Sequence, residues 1–152
     1  SEIVPGVNRS LLNVSDLINK GMVDESYRLT GESNQHSQVA ELATTFAHGR
    51  AVRHFLDSKA DYGIIFEDDV QLVSKDVIEK IPGGEGANFL GAVDTMIDLL
   101  PEDFDELNLG RCFSECMRQA LTAKLSANAF LVESRYQYCS SGYVVSRKGA
   151  EI

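Results

Sequence analysis

The strongest constraint on the fold is an uncharged run that stops abruptly at three carboxylates. The run, Tyr62–Phe66, has the sequence YGIIF, and the next three residues are Glu67, Asp68 and Asp69. A short apolar run that contains β-branched residues predicts a buried strand in a sheet covered on both faces. Strands of this kind are typical of proteins in which helices and strands alternate along the chain.

Helices and strands are predicted to alternate along the rest of the sequence. The predicted strands cover residues 2–4, 62–66, 104–110 and 143–146. The predicted helices cover residues 11–18, 37–58, 74–81, 89–100 and 113–125, and a last one begins at residue 147. Residues 19–36 and 82–86 are predicted loops. This order predicts an α/β fold with a mainly parallel sheet flanked by helices.

The composition excludes several classes of protein. A formal net charge of −9 over 152 residues argues against nucleic-acid binding, because that function leaves a basic footprint. No apolar run reaches the roughly 18 residues of a membrane span, and the N-terminus lacks the features of a signal peptide. We therefore expect a cytoplasmic protein. Cys112, Cys116 and Cys139 are too few for a disulfide scaffold, so they are expected as buried or free thiols. A Cys112–Cys139 or Cys116–Cys139 disulfide and, after it, metal binding are the alternatives.

Three adjacent carboxylates at the end of a strand are a candidate metal site. Ligands of α/β sheets bind outside the carboxyl ends of the strands. Clustered carboxylates repel one another unless a cation lies among them. Mg²⁺ and Mn²⁺ accept one or two carboxylates together with ligand phosphates and waters. Glu67, Asp68 and Asp69 therefore predict a site where a metal bridges the protein and a diphosphate, and a solvated acidic turn is the alternative interpretation.

Four segments of the sequence resemble glycosyltransferase family 25, which includes lipooligosaccharide and procollagen galactosyltransferases. Residues 62–70 (YGIIFEDDV) resemble its Glu-Asp-Asp-Val motif, and residues 45–56 resemble its histidine-containing helix, with His48 at the family's histidine. Residues 104–110 (FDELNLG) resemble its Asp-x-x-x-Leu-Gly strand, and residues 139–150 resemble its Ala-Tyr-x-x-Ser-Arg-x-Gly-Ala signature. The four segments follow the family's order and spacing.

The resemblance implies a GT-A fold, the nucleotide-diphospho-sugar transferase type of α/β sandwich. Residues 1–152 would form a single glycosyltransferase-like domain that lacks the family's first strand. The implied reaction moves a hexose from a nucleotide sugar, expected to be UDP-linked, to a hydroxyl of a glycan or protein acceptor with inversion. The implied cofactor is Mn²⁺ or Mg²⁺. The family usually has a Thr-His pair before its tyrosine, and this chain has Ser140 and Ser141 there.

The resemblance also implies roles for individual residues at the donor site. Asp69 and Glu67 are the expected metal ligands, and Glu67, Asp68, His48 and Tyr143 the expected contacts to the donor. Two of these have a structural alternative, since His48 lies in an apolar helix and Tyr143 in a strand, where each could simply pack.

The implied catalytic base is a carboxylate, and the candidates are Asp105 and Glu106. An acidic strand edge is the alternative for this pair. Two other functions remain open from the sequence. Carboxylates at strand ends also serve metal-dependent phosphoryl transfer and hydrolysis, and the domain could have kept the fold without the activity.

Overall fold

A computed structural model of the protein describes residues 2–24, 32–110, 113–114, 120–127, 130–133, 137–138 and 141–151. The chain forms two compact units, Ser1–Lys59 and Ala60–Ile152. The single glycosyltransferase-like domain expected over residues 1–152 stays a prediction. Cys112, Cys116 and Cys139 lie outside the described residues, so the expectation for their redox state stays a prediction.

The elements described in the first unit are helical, and a polar side chain fixes where the short helix α1 begins. Its α-helices are α1 (Val14–Asn19) and α2 (Glu32–Leu56). The Asn13 side chain accepts a hydrogen bond from the backbone N–H of Asp16 at 3.2 Å, which satisfies one of the N–H groups that a helix start leaves unpaired. Its buried apolar side chains are Val14, Leu42, Ala43 and Phe55.

Two expectations for the first unit need correction. The strand predicted over residues 2–4 is irregular backbone in the structure. Helix α2 begins at Glu32, within the loop predicted over residues 19–36. The residues at the start of α2 are polar, and apolar periodicity indicates a helix only where that helix buries apolar side chains. The beginning of α2 was therefore not evident from the sequence. The helix ends at Leu56, close to the predicted end.

The second unit mixes strands and helices. Its strands are β1 (Tyr62–Phe66), β2 (Glu106–Asn108), β3 (Phe113–Ser114), β4 (Ala120–Lys124), β5 (Phe130–Glu133), β6 (Gln137–Tyr138) and β7 (Gly142–Ser146). Its helices are α3 (Lys75–Ile78), α4 (Phe89–Asp98) and α5 (Arg147–Ala150). The mixed α/β class is therefore confirmed.

Strand β7 is the centre of a three-stranded sheet with the order β1-β7-β2. Both neighbours pair with it antiparallel, and Tyr143 stands in one row with Ile65 of β1 and Asn108 of β2. Strands β1 and β2 consequently run in the same direction, separated by one reversed strand. The sheet differs from the mainly parallel one expected, because every pairing among the described strands is antiparallel.

The core of the second unit lies on one face of this sheet. Val144 is completely buried and pairs with Leu107. These two side chains form one cluster with Val93 and Met96 of α4 and Leu131 of β5. We call the face that carries Val144 and Leu107 the core face, and the face that carries Tyr143 the tyrosine face, since side chains alternate along a strand.

The bounds predicted for β1 are confirmed, but the expectation that it is covered on both faces is wrong. Tyr62, Ile64 and Phe66 are 44%, 37% and 41% exposed. An apolar strand sequence is compatible with burial, but it does not show which neighbouring element covers each face.

Another correction concerns residues 113–125, which were predicted as a helix. Residues 113–114 form β3, which pairs with β6, and residues 120–124 form β4, which pairs with β5 in a hairpin. The sequence between these strands lies outside the described residues. Strand pairing depends on residues outside the strand itself, so the spacing of apolar residues within one segment does not reveal it.

None of the described helices is long and apolar enough to cross a membrane.

Candidate functional site

The acidic triplet Glu67-Asp68-Asp69 lies in the turn that directly follows β1. The backbone N–H of Glu67 donates to the carbonyl oxygen of Ser141 at 2.9 Å, which extends the pairing with β7 by one residue. Glu67 is half-buried, whereas Asp68 and Asp69 are exposed. Backbone pairing with β7 therefore fixes the position of Glu67, and Asp68 and Asp69 lie in the turn beyond it.

The end of β2 meets the triplet at the same edge of the sheet. The N–H groups of Leu109 and Gly110 both donate to the carbonyl oxygen of Gly142, at 2.8 and 3.1 Å. The Asn108 side chain accepts from the N–H of Gly110 at 3.0 Å. We call this side of the sheet, where β1 and β2 end and β7 begins, the triplet edge. It is the kind of edge where α/β sheets bind ligands.

Tyr143 lies near two of the carboxylates expected in the site, those of Glu67 and Glu106. Burial raises the pKa of its phenol, and the nearby charges of Glu106 and Glu67 raise it further, to about 12. Glu106 and Glu67 stand on opposite sides of Tyr143 along the sheet, each two rows from it. Two rows correspond to about 7 Å, at roughly 3.4 Å per residue. Glu67 and Glu106 thus both lie near Tyr143 on the tyrosine face, while four rows, about 14 Å, separate them from each other.

Asp105 lies at the opposite edge of the sheet. Its carbonyl oxygen accepts from the N–H of Ser146, and Ser146 pairs with Tyr62 at the beginning of β1. Five residues separate that row from Glu67, which is about 17 Å along an antiparallel strand. The Asp105 carboxylate also forms an ion pair with Lys148 at 3.3 Å. Of the two candidate bases, only Glu106 lies near Tyr143.

His48 lies on α2 in the first unit and is half-buried. It has an interaction partner of its own in the structure. Its expected contact to the donor stays a prediction, as does the direct metal coordination expected of Asp69.

The carboxylates of the triplet match the oxygen ligands that Mg²⁺ and Mn²⁺ prefer. Within the described ranges, no group of three or more Asp, Glu, His or Cys side chains is arranged to hold a metal. Mg²⁺ seldom uses such an all-protein cage, and it is commonly held by one or two carboxylates with ligand phosphates and waters. Half-buried Glu67 and exposed Asp69 fit that open arrangement.

Asn108 is a site residue that the sequence analysis did not single out. It shares a row with Tyr143, and its side chain holds the turn at Gly110. The signal was present in the strand FDELNLG, because residues two apart on a strand share a face. Asn108 therefore had to lie beside Glu106 once residues 106–108 were taken as a strand.

Comparisons of the chain with protein-family models, with curated proteins and with solved structures gave no match.

Proposed function

We propose that the protein is a metal-dependent glycosyltransferase that moves a hexose from a UDP-linked donor to a hydroxyl of a glycan or protein acceptor. The observation that carries the proposal is the triplet edge: three carboxylates follow β1 at the point where β2 ends and β7 begins. The resemblance of four sequence segments to glycosyltransferase family 25 supports it. The cytoplasm is the proposed site of action.

A GT-A-like fold belongs to this proposal. Strands β1 and β2 run in the same direction on either side of β7, so their carboxyl ends share one edge. This common edge is what a ligand that binds outside the carboxyl ends of strands requires.

Donor binding is assigned to the triplet. Glu67 and Asp69 would hold Mn²⁺ or Mg²⁺, with Asp68 beside them toward the donor. When bound, the metal offsets the negative charge that develops on the departing diphosphate. The protein alone carries a net charge of −9, so a nucleotide diphosphate without a cation would be repelled.

The proposed base is Glu106. In an inverting transfer the acceptor oxygen bonds to the anomeric carbon as the bond from that carbon to the diphosphate oxygen breaks. The acceptor proton passes to a carboxylate that acts as general base. Glu106 is exposed and lies near Tyr143 on the tyrosine face, whereas the Asp105 carboxylate forms an ion pair with Lys148. Tyr143, whose phenol stays protonated, would contact the donor.

Calorimetry tests the donor site. UDP-glucose and UDP-galactose are titrated into the protein with and without Mn²⁺, and again into Asp69→Asn. Asp98→Asn is the matched control, because Asp98 is an exposed carboxylate on α4. We expect binding that needs Mn²⁺, weakens at least about tenfold in Asp69→Asn, which is about 1.4 kcal/mol, and is unchanged in Asp98→Asn. Binding that ignores both the metal and Asp69→Asn would contradict the proposal.

A second variant separates the donor site from the base. Glu106→Gln keeps the size of the side chain and removes the negative charge that accepts a proton. We expect it to retain the metal-dependent donor affinity within about twofold, since a base acts on the acceptor. Loss of donor binding in Glu106→Gln would mean that Glu106 is part of the donor site instead.

A further inference from the structure

Strand β1 has an open edge in the described part of the second unit, where it pairs with β7 alone. Its backbone bonds to β7 fix which groups face outward. Arg147 donates to the carbonyl of Asp61, and Glu67 donates to the carbonyl of Ser141. In an antiparallel ladder every second residue bonds to the same neighbour. The odd-numbered residues of β1 therefore bond to β7, and the N–H and C=O groups of Tyr62, Ile64 and Phe66 point away from it.

This edge lacks the features that normally protect a strand from further pairing. Protected edges carry charges, a proline or a bulge. Strand β1 has no charged residue and no proline, and its register with β7 runs without interruption from Tyr62 to Phe66. Tyr62, Ile64 and Phe66 also expose 44%, 37% and 41% of their surface. Outward backbone groups and exposed apolar side chains thus occur on the same residues.

The exposed side chains are held in place before any partner arrives. The Tyr62 ring stacks on Phe104 with ring centroids 5.6 Å apart. The Phe66 ring packs against Phe89 at 5.9 Å. An ordered edge loses little conformational freedom on binding, which favours recognition of an extended segment.

The charges around β1 indicate what kind of segment fits. Asp61 precedes the strand, and Glu67, Asp68 and Asp69 follow it. If two copies of the chain paired antiparallel about Ile64, Asp61 of one copy would face Glu67 of the other, and like charges opposite each other are destabilising. The net charge of −9 on each copy adds repulsion. Charge complementarity therefore favours a basic partner over a second copy.

We propose that the open edge of β1 binds an extended, basic segment of a partner protein by strand addition. The segment pairs with the outward backbone groups of Tyr62, Ile64 and Phe66, and alternate apolar side chains of the segment cover theirs. Lysine or arginine residues on both sides of the segment face Asp61 and the triplet. The inference does not rest on the proposed function, and the two proposals share the carboxylates of the triplet.

The test uses a fluorescent peptide with alternating valine and threonine between flanking arginines, and binding is followed by anisotropy. The key protein variant is Ile64→Pro. Proline removes the N–H of residue 64, which points outward, and keeps the ladder to β7, so it is tolerated at an edge strand. We expect Ile64→Pro to stay folded by circular dichroism and to bind about tenfold more weakly. The matched control, Ile64→Val, keeps the N–H and should bind within about twofold of the original chain.

Changes in the peptide keep the test independent of how well Ile64→Pro folds. A peptide with N-methyl groups on alternate residues keeps its side chains and loses the backbone donors, and a peptide with glutamate flanks reverses the charge. Both should bind at least about tenfold more weakly than the basic peptide. Equal binding of either peptide would overturn the proposal. So would a dimer in sedimentation experiments that forms without peptide and disappears in Ile64→Pro, because the occupant would then be a second copy.

Discussion

Gly142 of β7 lies directly opposite Phe66 of β1, and the Phe66 ring occupies the space that a side chain on Gly142 would need. A Cβ atom at Gly142 would come within 2.8 Å of the ring carbon Cδ1. The two residues close the triplet edge on the core face, one residue before Glu67. Their contact therefore links the packing of the sheet to the position of the proposed donor site.

Substitution of Gly142 should strain this contact. We expect Gly142→Ala to lower the free energy of unfolding by about 1–3 kcal/mol, because overpacking forces the ring out of its place. Phe66→Leu in the same chain should recover part of the loss. Chemical denaturation of both single variants and of the double variant measures the coupling. Additive effects of the two substitutions would contradict the contact.

Val144 should contribute more to stability than an exposed valine. Its side chain is completely buried, whereas Val73 is 54% exposed. We expect Val144→Ala to lower the free energy of unfolding by about 2–3 kcal/mol, through lost burial and the cavity that remains. Val73→Ala removes the same atoms and should change it by less than about 0.5 kcal/mol. Similar losses in the two variants, measured by urea denaturation, would argue against the core described for the second unit.

Ser146 joins β7 to α5 with a buried hydroxyl. Its Oγ donates to the carbonyl of Phe104 at 2.6 Å and accepts from the N–H of Gly149 at 3.0 Å. We expect Ser146→Ala to cost about 1–2 kcal/mol of unfolding free energy, because a capping bond is lost and the half-buried carbonyl of Phe104 is left without this donor. Ser74→Ala is the control, since Ser74 is exposed and makes no capping bond at the start of α3. It should change the stability by less than about 0.5 kcal/mol.

Tyr143 should make stability fall at high pH. Its pKa is raised from 10.0 to about 12 in the folded protein by burial and by Glu106 and Glu67. The neutral phenol therefore contributes stability that is fully present below pH 10 and is lost as pH rises through about 12. In urea denaturation between those two pH values, Tyr143→Phe should show a smaller loss.

The same group can be followed directly by absorbance. The chain has five tyrosines and no tryptophan, so the absorbance of tyrosinate is clearly visible. We expect a phenol ionisation near pH 12 in a titration of the folded protein, and we expect it to be absent from Tyr143→Phe. An unchanged step near that pH in the variant would contradict the environment described for Tyr143.

Local signals in the sequence were sufficient for several elements. The bounds of β1 match the apolar run, and α4 follows its apolar spacing after Asn88, whose side chain accepts from the N–H of Gly91. These elements depend on neighbouring residues. The pairing of β7 between β1 and β2 joins segments far apart in the chain, so alternation alone predicted a parallel sheet.

The candidate site was also predictable only in part. The triplet was evident because the change from apolar to acidic residues occurs at one point in the sequence. Side chains alternate between the two faces of a strand, so the adjacent carboxylates of Asp105 and Glu106 have different surroundings. Asp105 pairs with Lys148, and Glu106 lies near Tyr143. From the sequence alone, the two carboxylates were equivalent candidates for the base. The register of β2 with β7 distinguishes them.

The most direct test of the central claim is where Mn²⁺ and the nucleotide sugar bind. Amide NMR spectra of isotope-labelled protein, with small amounts of Mn²⁺ in the presence of UDP-glucose, report this through paramagnetic broadening. The account predicts broadening of residues at the triplet edge, namely Glu67, Asp68, Asp69, Leu109, Gly110 and Gly142, while Asp105 and Lys148 at the opposite edge stay sharp. Broadening centred on Asp105 and Lys148, or on the exposed carboxylates of α4, with the triplet edge unaffected, would contradict it.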